Sequence, residues 1–353
     1  MRSMDEAIGW ADRNEHWLTE GGQNQRRRAK RERSKEPLIL CGHGVSLNID
    51  RGTLSIRDGL THYPQDRATY RLFQGDLALP PRIIMLDGSG SLSFDVIVWL
   101  AEQNIPLIRI DWKGDVVSII GGTGYAQVPD RVRWQIETRT DPSRRLDFCC
   151  DLIAAKLRAS LKTLNETLPA SPSRALAISR CETGIVQLES RSVRTVEDVR
   201  AIEANAAAAY FNAWKGLPLV WRSRWKHPIP DAWLKIGSRR STGAGRFATN
   251  RNATHPLNAM LNYAYAALRS QIHTEAVGEG YDPCRGIMHH DRDDTQAFVY
   301  DLIEPRRPIA DAAVLKFALN TELTGADFVL RADGVCRLAP QLARVMARTG
   351  MTA

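Results

Sequence analysis

The segment VVSIIGGTGYAQVPD, residues 116–130, decides the fold because the hydrophobic pattern of the chain changes across it. Before it, short apolar runs rich in Val, Ile and Leu are separated by Gly, Pro and Asp, which is typical of strands and turns. After it, apolar residues recur with helical spacing. We therefore predict an α+β protein in which a small N-terminal β-domain precedes a larger all-α C-terminal domain.

The β-domain is predicted to span residues 37–124 and to contain one helix, in the segment LSFDVIVWLAEQN at 92–104. Apolar residues there recur at the i, i+3, i+4, i+7 spacing of one helix face. The face predicted to pack on the sheet consists of Phe94, Ile97, Val98 and Ala101.

Residues 1–36 are polar and contain the basic block RRRAKRERSK at 26–35. Like charges repel each other and disfavour packing, so we predict a mobile arm. Such an arm can lie on a phosphate backbone or simply be a solvated tail, and the sequence leaves both open.

The C-terminal domain is predicted to span residues 128–353 and to be built from helices. In the segment LDFCCDLIAAKLRASLKTL a single apolar stripe is formed by Cys150, Ile153, Leu157, Leu161 and Leu164. Further helices are predicted in the segments VEDVRAIEANAAAAYFNAW, HPLNAMLNYAYAALRSQIHTEAVG and TQAFVYDLIEP. Residues 216–255 are rich in Trp, Pro, Gly, Arg and Lys and predict a long basic loop.

Composition indicates a globular protein with a polyanionic partner. Among 353 residues 43% are hydrophobic and 25% charged, and the net charge is +8, which favours nucleic acid as partner. The six cysteines form no C-x-x-C pair, which is typical of reduced thiols in a cytoplasm. No apolar run approaches the roughly 20 residues that span a bilayer, so no membrane role is expected.

Three acidic residues are candidates for chemistry. Glu203 lies in an Ala-rich helix, where a carboxylate is costly unless it is paired or bound to a cation, although an ordinary solvent-facing glutamate is the simpler alternative. Asp301 and Glu304 are three residues apart and share a helix face. A divalent cation would make such a pair tolerable, and exposed acids screened by neighbouring arginines are the alternative.

The segment GYDPCRGIMHHDRDD, residues 280–294, places His289 and His290 in a loop or at a helix start. A neutral imidazole is a common metal ligand, but a loop histidine is more often a polar surface residue. A histidine combined with carboxylates from separate segments suits Mg²⁺ or Mn²⁺ better than zinc, and such a site transfers phosphoryl groups readily.

Basic residues interleaved with tryptophan in the long loop are candidates for DNA contact. Arginine and lysine neutralise phosphates, and Trp221 and Trp225 can stack on a frayed base, while packing over apolar surface is the alternative. The predicted DNA-binding residues are Arg222, Arg224, Lys226, Arg239, Arg240 and Arg246.

The order of these motifs resembles the universal integrase-endonuclease of CRISPR adaptation, the first-numbered CRISPR-associated protein. The resemblance covers nearly the whole chain beyond the first 36 or so residues. The segments that carry it are LILCGHGVSLNIDRGTLSIRDG, PPRIIMLDGSGSLSFDVIVWLAEQNIPLIRIDWKGDVVSIIGG, IEANAAAAYFNAW, HPLNAMLNYAYAAL, GYDPCRGIMH and YDLIEPRRP. The last four are similar to the family's helical signature.

This resemblance implies that Glu203, His289 and Glu304 bind Mg²⁺ or Mn²⁺, with Asp301 as an auxiliary acid. The second histidine, His290, is a departure from the family pattern, and the Gly-x-x-His register favours His289. The implied fold is a β-domain that forms a homodimer and a helical catalytic domain. The implied partners are DNA, both protospacer and CRISPR repeat, and the small second-numbered CRISPR-associated protein.

The implied reaction is spacer insertion, in which a DNA 3′-hydroxyl attacks a repeat phosphodiester, with hydrolysis when water attacks instead. Three alternatives remain open. They are a transposon-type integrase or solo nuclease outside CRISPR, a non-catalytic DNA-binding scaffold, and a metallohydrolase acting on small molecules, which leaves the basic loop unexplained.

Overall fold

The computed structural model describes residues 13, 16–17, 36–60, 67–111, 116–120, 128–222, 227–237, 253–289 and 296–351. Within these residues, a six-stranded sheet precedes a mainly helical region that ends in a small hairpin and a final helix. The mixed α+β character predicted from the sequence is confirmed.

The sheet is built from strands that all precede residue 121. They are β1 (Leu38–Asp50), β2 (Thr53–Arg57), β3 (Thr69–Leu72), β4 (Ile83–Leu92), β5 (Leu107–Ile110) and β6 (Val116–Ile120). Their spatial order is β3-β2-β1-β4-β5-β6. The central pairs β1–β4 and β4–β5 are parallel, and the outer pairs are antiparallel.

The β1–β2 hairpin turns at Arg51 and Gly52, with Asp50 paired to Thr53. Both turn residues have positive φ, 49° and 80°, which is the conformation that favours a tight two-residue connection. This turn sets the register of the long strand β1.

Helix α1 (Phe94–Glu102) is the one helix predicted in this domain, and its buried face was predicted wrongly. It connects the parallel strands β4 and β5. The residues that pack on the sheet are Val96, Trp99 and Leu100, whereas Phe94 and Val98 are 86% and 59% exposed. The buried residues are also spaced i, i+3, i+4, so the helix carries two apolar faces. Trp99 decides between them, because its indole also donates a hydrogen bond to the Gly52 carbonyl at 3.0 Å.

The helical region contains eight helices among the described residues. They are α2 (Pro129–Thr140), α3 (Pro142–Thr167), α4 (Pro172–Glu189), α5 (Val196–Asn212), α6 (Pro256–Gly278), α7 (Ala297–Ile303), α8 (Arg307–Asn320) and α9 (Pro340–Met351). A 3-10 turn at Glu304–Arg306 joins α7 to α8. The stripe predicted along α3 is buried, so this helix and its orientation are confirmed.

The second region is not purely helical. Strands β7 (Phe328–Leu330) and β8 (Cys336–Leu338) form an antiparallel hairpin between α8 and α9. The prediction of an all-α second domain is therefore too simple.

Both faces of the sheet are covered. Leu40 packs on the α1 side, whereas its neighbours Ile39 and Cys41 belong to the large core shared with the helical region. This arrangement explains why three consecutive residues of β1 are buried, since a strand covered on both faces needs no polar alternation. Arg344 of α9 strengthens the junction by pairing with buried Asp58 beside β2.

Part of the predicted mobile arm is anchored. Arg13 and Trp17 are buried against the helical region, where Arg13 pairs with Asp327 at 2.8 Å and the Trp17 indole donates to the same carboxylate at 3.0 Å. The prediction of a wholly mobile arm over residues 1–36 is therefore wrong at these two positions. The basic block at 26–35 lies outside the described residues.

No helix in the described part of the chain is long and apolar enough to cross a membrane.

Candidate catalytic site

Two of the predicted ligands, Glu203 and Glu304, converge on one cation. Glu203 lies on α5, whose first turn is fixed by a capping box between Thr195 and Asp198, and Glu304 begins the 3-10 turn after α7. Lys156 of α3 donates from Nζ to Glu203 and, at 2.5 Å, to Glu304 Oε2. Three separate segments thus meet around a single ammonium group.

The acid pair is shielded from water. The side chain of Glu304 is 3% exposed and that of Glu203 is 22% exposed. The alternative of a solvent-facing Glu203 is therefore not what the fold shows, nor is Glu304 an exposed acid. Arg307 pairs with Glu304 Oε1 at 2.9 Å, while Arg306 turns away to Glu275.

Burial alone would raise the pKa of Glu304, because desolvation disfavours the carboxylate. Arg307 and Lys156 outweigh that effect and hold the pKa of Glu304 below its ordinary value. Burial likewise opposes the charge on Lys156, yet Glu304 and Glu203 together raise the pKa of this lysine. Glu304 and Lys156 therefore both carry their charge at neutral pH.

Asp301 does not join this cluster but holds the loop that carries His289. Its buried carboxylate accepts the backbone N–H groups of Ile287 at 2.6 Å, Met288 at 3.1 Å and His289 at 3.0 Å. It also accepts from the His289 ring, whose Nδ1 lies 2.6 Å from Oδ1. Asp301 thus positions His289 rather than facing a reactant, which refines its predicted role as an auxiliary acid.

The carbonyl groups of the same loop are held by arginines from three helices. Arg139 of α2 donates to the Gly286 carbonyl at 3.3 Å, and Arg145 of α3 donates to that of Ile287 at 2.9 Å. Arg200 of α5 donates to the Met288 carbonyl at 2.6 Å. With its amides on Asp301 and its carbonyls on arginines, the loop is fixed despite having no regular secondary structure.

A cavity of about 130 Å³ adjoins Glu203. It is also lined by Lys156, Arg307 and Asp311, and Asp311 accepts hydrogen bonds from the hydroxyls of Tyr210 and Tyr265. Arg307 also lies over the Tyr265 ring, 5.6 Å from its centroid. Polar groups therefore continue from the acid pair into the interior.

His289 does not complete a three-ligand cluster. Among the described residues no group of three or more His, Cys, Asp and Glu side chains is arranged to hold a metal ion. The His289 side chain is 41% exposed, and because Nδ1 faces Asp301, Nε2 is the ring nitrogen able to coordinate. His289 is, after Arg307 and Lys156, among the groups that lower the pKa of Glu304, so the two residues lie near each other.

The donor set nevertheless fits a hard divalent cation. Glu203 and Glu304 already bracket a positive charge, and carboxylates with one imidazole are ligands that Mg²⁺ and Mn²⁺ accept. An auxiliary carboxylate that orients the imidazole from its second nitrogen is the usual accompaniment of a metal-binding histidine.

Sequence reasoning missed Lys156 and Asp311, and it considered Arg307 only as a screen for exposed acids. The available signal for Lys156 was its position on α3, three residues after buried Ile153 and next to buried Leu157, where a lysine must find an anion. Arg307 and Asp311 lie on the first turns of α8, directly after Glu304. Nothing in the sequence shows that these turns face α3 and α5.

The predicted DNA contacts are described only in part. Arg222 is exposed, which suits contact with a phosphate. Trp221, in contrast, is half-buried and packs on Trp233 and Phe328, so its position supports packing rather than base stacking. The remaining candidates, together with Trp225 and His290, lie outside the described residues; the basic ones are Arg224, Lys226, Arg239, Arg240 and Arg246.

The fold and the site define a class of protein in which a mixed sheet precedes a helical region. In that region a lysine ammonium group lies between two glutamates, and a histidine is held by an aspartate. The family model described as CRISPR associated protein Cas1 matches residues 42–349. The chain belongs to the Cas1 family.

Curated relatives agree with this assignment. A Cas4 exonuclease/Cas1 endonuclease fusion of Rhodospirillum rubrum is 30% identical over 265 residues, which cover 74% of this chain and 42% of the relative. A CRISPR-associated endonuclease Cas1 of Francisella tularensis subsp. novicida is 25% identical over 283 residues, 79% of this chain and 78% of the relative. The chain thus spans under half the length of the fusion protein.

Solved structures share the fold. A casposase bound to its integration product superposes with a TM-score of 0.69 at 23% identity, covering 90% of this chain and 82% of that one. A Cas1 protein from Thermotoga maritima superposes with a TM-score of 0.65 at 14% identity, covering 90% of this chain and 89% of that one.

Proposed function

We propose that this protein is a divalent-metal-dependent DNA endonuclease and integrase that inserts spacers into a CRISPR array. The observation that carries the proposal is that the carboxylates of Glu203 and Glu304 converge on the ammonium group of Lys156, with His289 held nearby by Asp301. Membership of the Cas1 family and the endonuclease names of its relatives support it.

The ligands of the proposed site are Glu203, Glu304 and Nε2 of His289, with Mg²⁺ or Mn²⁺ as the ion. When bound, the ion polarises the scissile phosphate and neutralises charge that develops in the transition state. Arg307 keeps Glu304 ionised and hence able to coordinate. Asp301 orients the His289 ring, and the exposed side of that ring leaves room for a DNA strand.

In the proposed reaction a DNA 3′-hydroxyl attacks the phosphorus of a repeat phosphodiester. A new P–O bond forms, the bond to the repeat's own 3′-oxygen breaks, and the hydroxyl proton leaves to solvent. When water takes the place of the hydroxyl, the strand is cut rather than joined. One site can therefore support both nuclease and integrase activities.

The proposed partners are DNA, a second copy of the chain and the small Cas2 protein. The net charge of +8 and exposed Arg222 favour DNA. A chain of a solved Cas6-RT-Cas1–Cas2 complex has a similar fold, with a TM-score of 0.65 at 14% identity. Exposed apolar residues of the β-domain, namely Phe94, Val98 and Val117, support a homodimer formed by this domain. Six free cysteines, five of them buried, favour a cytoplasmic location.

The proposal is tested by metal-dependent cleavage of branched DNA and strand transfer into repeat-containing DNA, with and without Cas2. Glu203→Ala, His289→Ala and Glu304→Ala are each expected to abolish both reactions while DNA binding persists. Wild-type reaction rates in all three variants would show that the site is wrong. An inactive wild type in Mg²⁺ and Mn²⁺, even with Cas2, would favour the non-catalytic scaffold.

A transposon-type integrase or solo nuclease would use the same residues. The substrate preference separates it from the CRISPR assignment, because strand transfer should then ignore the repeat sequence.

A further inference from the structure

Lys156 occupies the place that a divalent ion would need. Its ammonium group lies between Glu203 Oε1 and Glu304 Oε2, so an ion bound by both glutamates would meet Nζ at the same oxygens. Arg307 contacts the other oxygen of Glu304, Oε1, and is not in the way. Arg307 therefore leaves Glu304 Oε2 to an ion, whereas Lys156 would compete with the ion for that oxygen and for Glu203 Oε1.

The charge balance leads to the same conclusion. Glu203 and Glu304 carry two negative charges and Asp311 acts on Arg307 as a third, while Lys156 and Arg307 carry two positive charges, so the groups around the cavity sum to −1. A divalent ion added beside a retained ammonium group would change that sum to +1 in a poorly hydrated place. Such repulsion is costly where few water molecules screen it.

The fold provides a place for a displaced ammonium group. Lys156 lines the cavity of about 130 Å³, which is also lined by Asp311 and by the two tyrosines that donate to it, Tyr210 and Tyr265. That volume exceeds the roughly 30 Å³ that a water molecule occupies, and an ammonium group is of similar size. The lysine side chain has a flexible four-carbon stem, which lets its head group change position within the space that the residue lines.

We propose that Lys156 is an internal competitor of the divalent ion: it neutralises Glu203 and Glu304 in the metal-free protein and leaves them when the ion binds. This inference rests on the proposed function, since it concerns the same acid pair. Lys156 thereby stabilises the empty site and lowers the affinity for the ion.

The test compares wild type with Lys156→Met, which keeps an unbranched side chain shorter by one atom and removes its charge. The matched control is Lys162→Met, an exposed lysine on the same helix. Mn²⁺ affinity of the full chain is measured by calorimetry, and the melting temperature is measured in EDTA and in saturating Mn²⁺. Neither readout depends on activity.

We expect Lys156→Met to bind Mn²⁺ at least ~10-fold more tightly than wild type, because the ion no longer displaces a charge. We also expect it to melt at a lower temperature in EDTA and to gain more from Mn²⁺ than wild type does. Lys162→Met should match wild type in both measurements. Equal or weaker Mn²⁺ binding by Lys156→Met, with no larger gain in melting temperature, would overturn the inference.

The failure of this inference is distinguishable from the failure of the proposed function. If wild type binds no Mn²⁺, or if its Mn²⁺ binding persists in Glu203→Gln, the metal site itself is refuted. If wild type binds Mn²⁺ in that way but Lys156→Met binds no more tightly, only the competition is refuted. Should Lys156→Met fail to fold in EDTA, Lys156→Gln retains a hydrogen-bond donor without the charge, and the same affinity comparison applies.

Discussion

Replacing Asp301 by asparagine tests the role of this residue as the anchor of the His289 loop. Oδ2 accepts from the amides of Ile287 and Met288, and Oδ1 accepts from the amide and ring of His289. An asparagine presents one oxygen and one NH₂ group, so two of these four donors would face another donor in either orientation. Two charge-assisted hydrogen bonds lost inside the protein correspond to about 3–6 kcal/mol of unfolding free energy.

The assay for Asp301→Asn is urea unfolding at pH 7 in EDTA, followed by tryptophan fluorescence, together with Mn²⁺ titration. Because the imidazole loses its orienting partner, we expect Mn²⁺ affinity to fall by ~10–100-fold as well. Asp327→Asn is the control, since it removes an equally buried acid that pairs with Arg13 and should lower stability without weakening Mn²⁺ binding. Wild-type stability and wild-type Mn²⁺ affinity in Asp301→Asn would refute the anchoring role.

Three further changes have defined outcomes. Burial lowers the pKa of His255 to about 4, so the neutral imidazole contributes fully to the unfolding free energy above pH ~6.5 and loses up to about 3 kcal/mol of that contribution as pH falls towards 4. His255→Asn retains the helix cap and should make the unfolding free energy less dependent on pH in acid unfolding curves. Trp17→Ala should lower the unfolding free energy in urea by about 3 kcal/mol, because this indole is buried. Phe73→Ala, at a side chain that is 54% exposed, should change it by under ~1 kcal/mol, and equal losses would contradict docking of the arm. Gly286→Ala would place a Cβ 2.7 Å from the His289 carbonyl oxygen and should lower both the unfolding free energy and the Mn²⁺ affinity. Gly278→Ala, whose Cβ would have no atom within 4 Å, should change neither. Wild-type values for Gly286→Ala would show that the loop adjusts freely.

The parts of the fold that follow from local periodicity were predictable. The stripe on α3, the helices α5 and α6, and the strands before residue 121 arise from residue spacing alone. The buried face of α1 was not predictable in this way, because Val96, Trp99 and Leu100 have the same spacing as the face that was chosen. Only the position of the sheet decides between two apolar faces of one helix.

The sequence pointed to two acids that the fold brings together, Glu203 and Glu304, but not to the residues around them. Glu203 and Glu304 lie in segments that resemble the family's motifs. The pairing of Lys156 with both, in contrast, depends on the packing of α3 against α5 and the 3-10 turn. The docking of Arg13 and Trp17 is similar in origin, since their common partner, Asp327, is more than 300 residues away in sequence. Contacts of such separation leave no periodic trace in the chain.

The measurement that tests the central claim most directly is anomalous diffraction at the manganese edge from crystals of this protein grown with Mn²⁺. One peak is expected within coordination distance of Glu203, Glu304 and Nε2 of His289, with Asp301 still bound to Nδ1 of that histidine. A peak elsewhere, or none at this position while Lys156 remains between the two glutamates, would contradict a metal centre built from these residues.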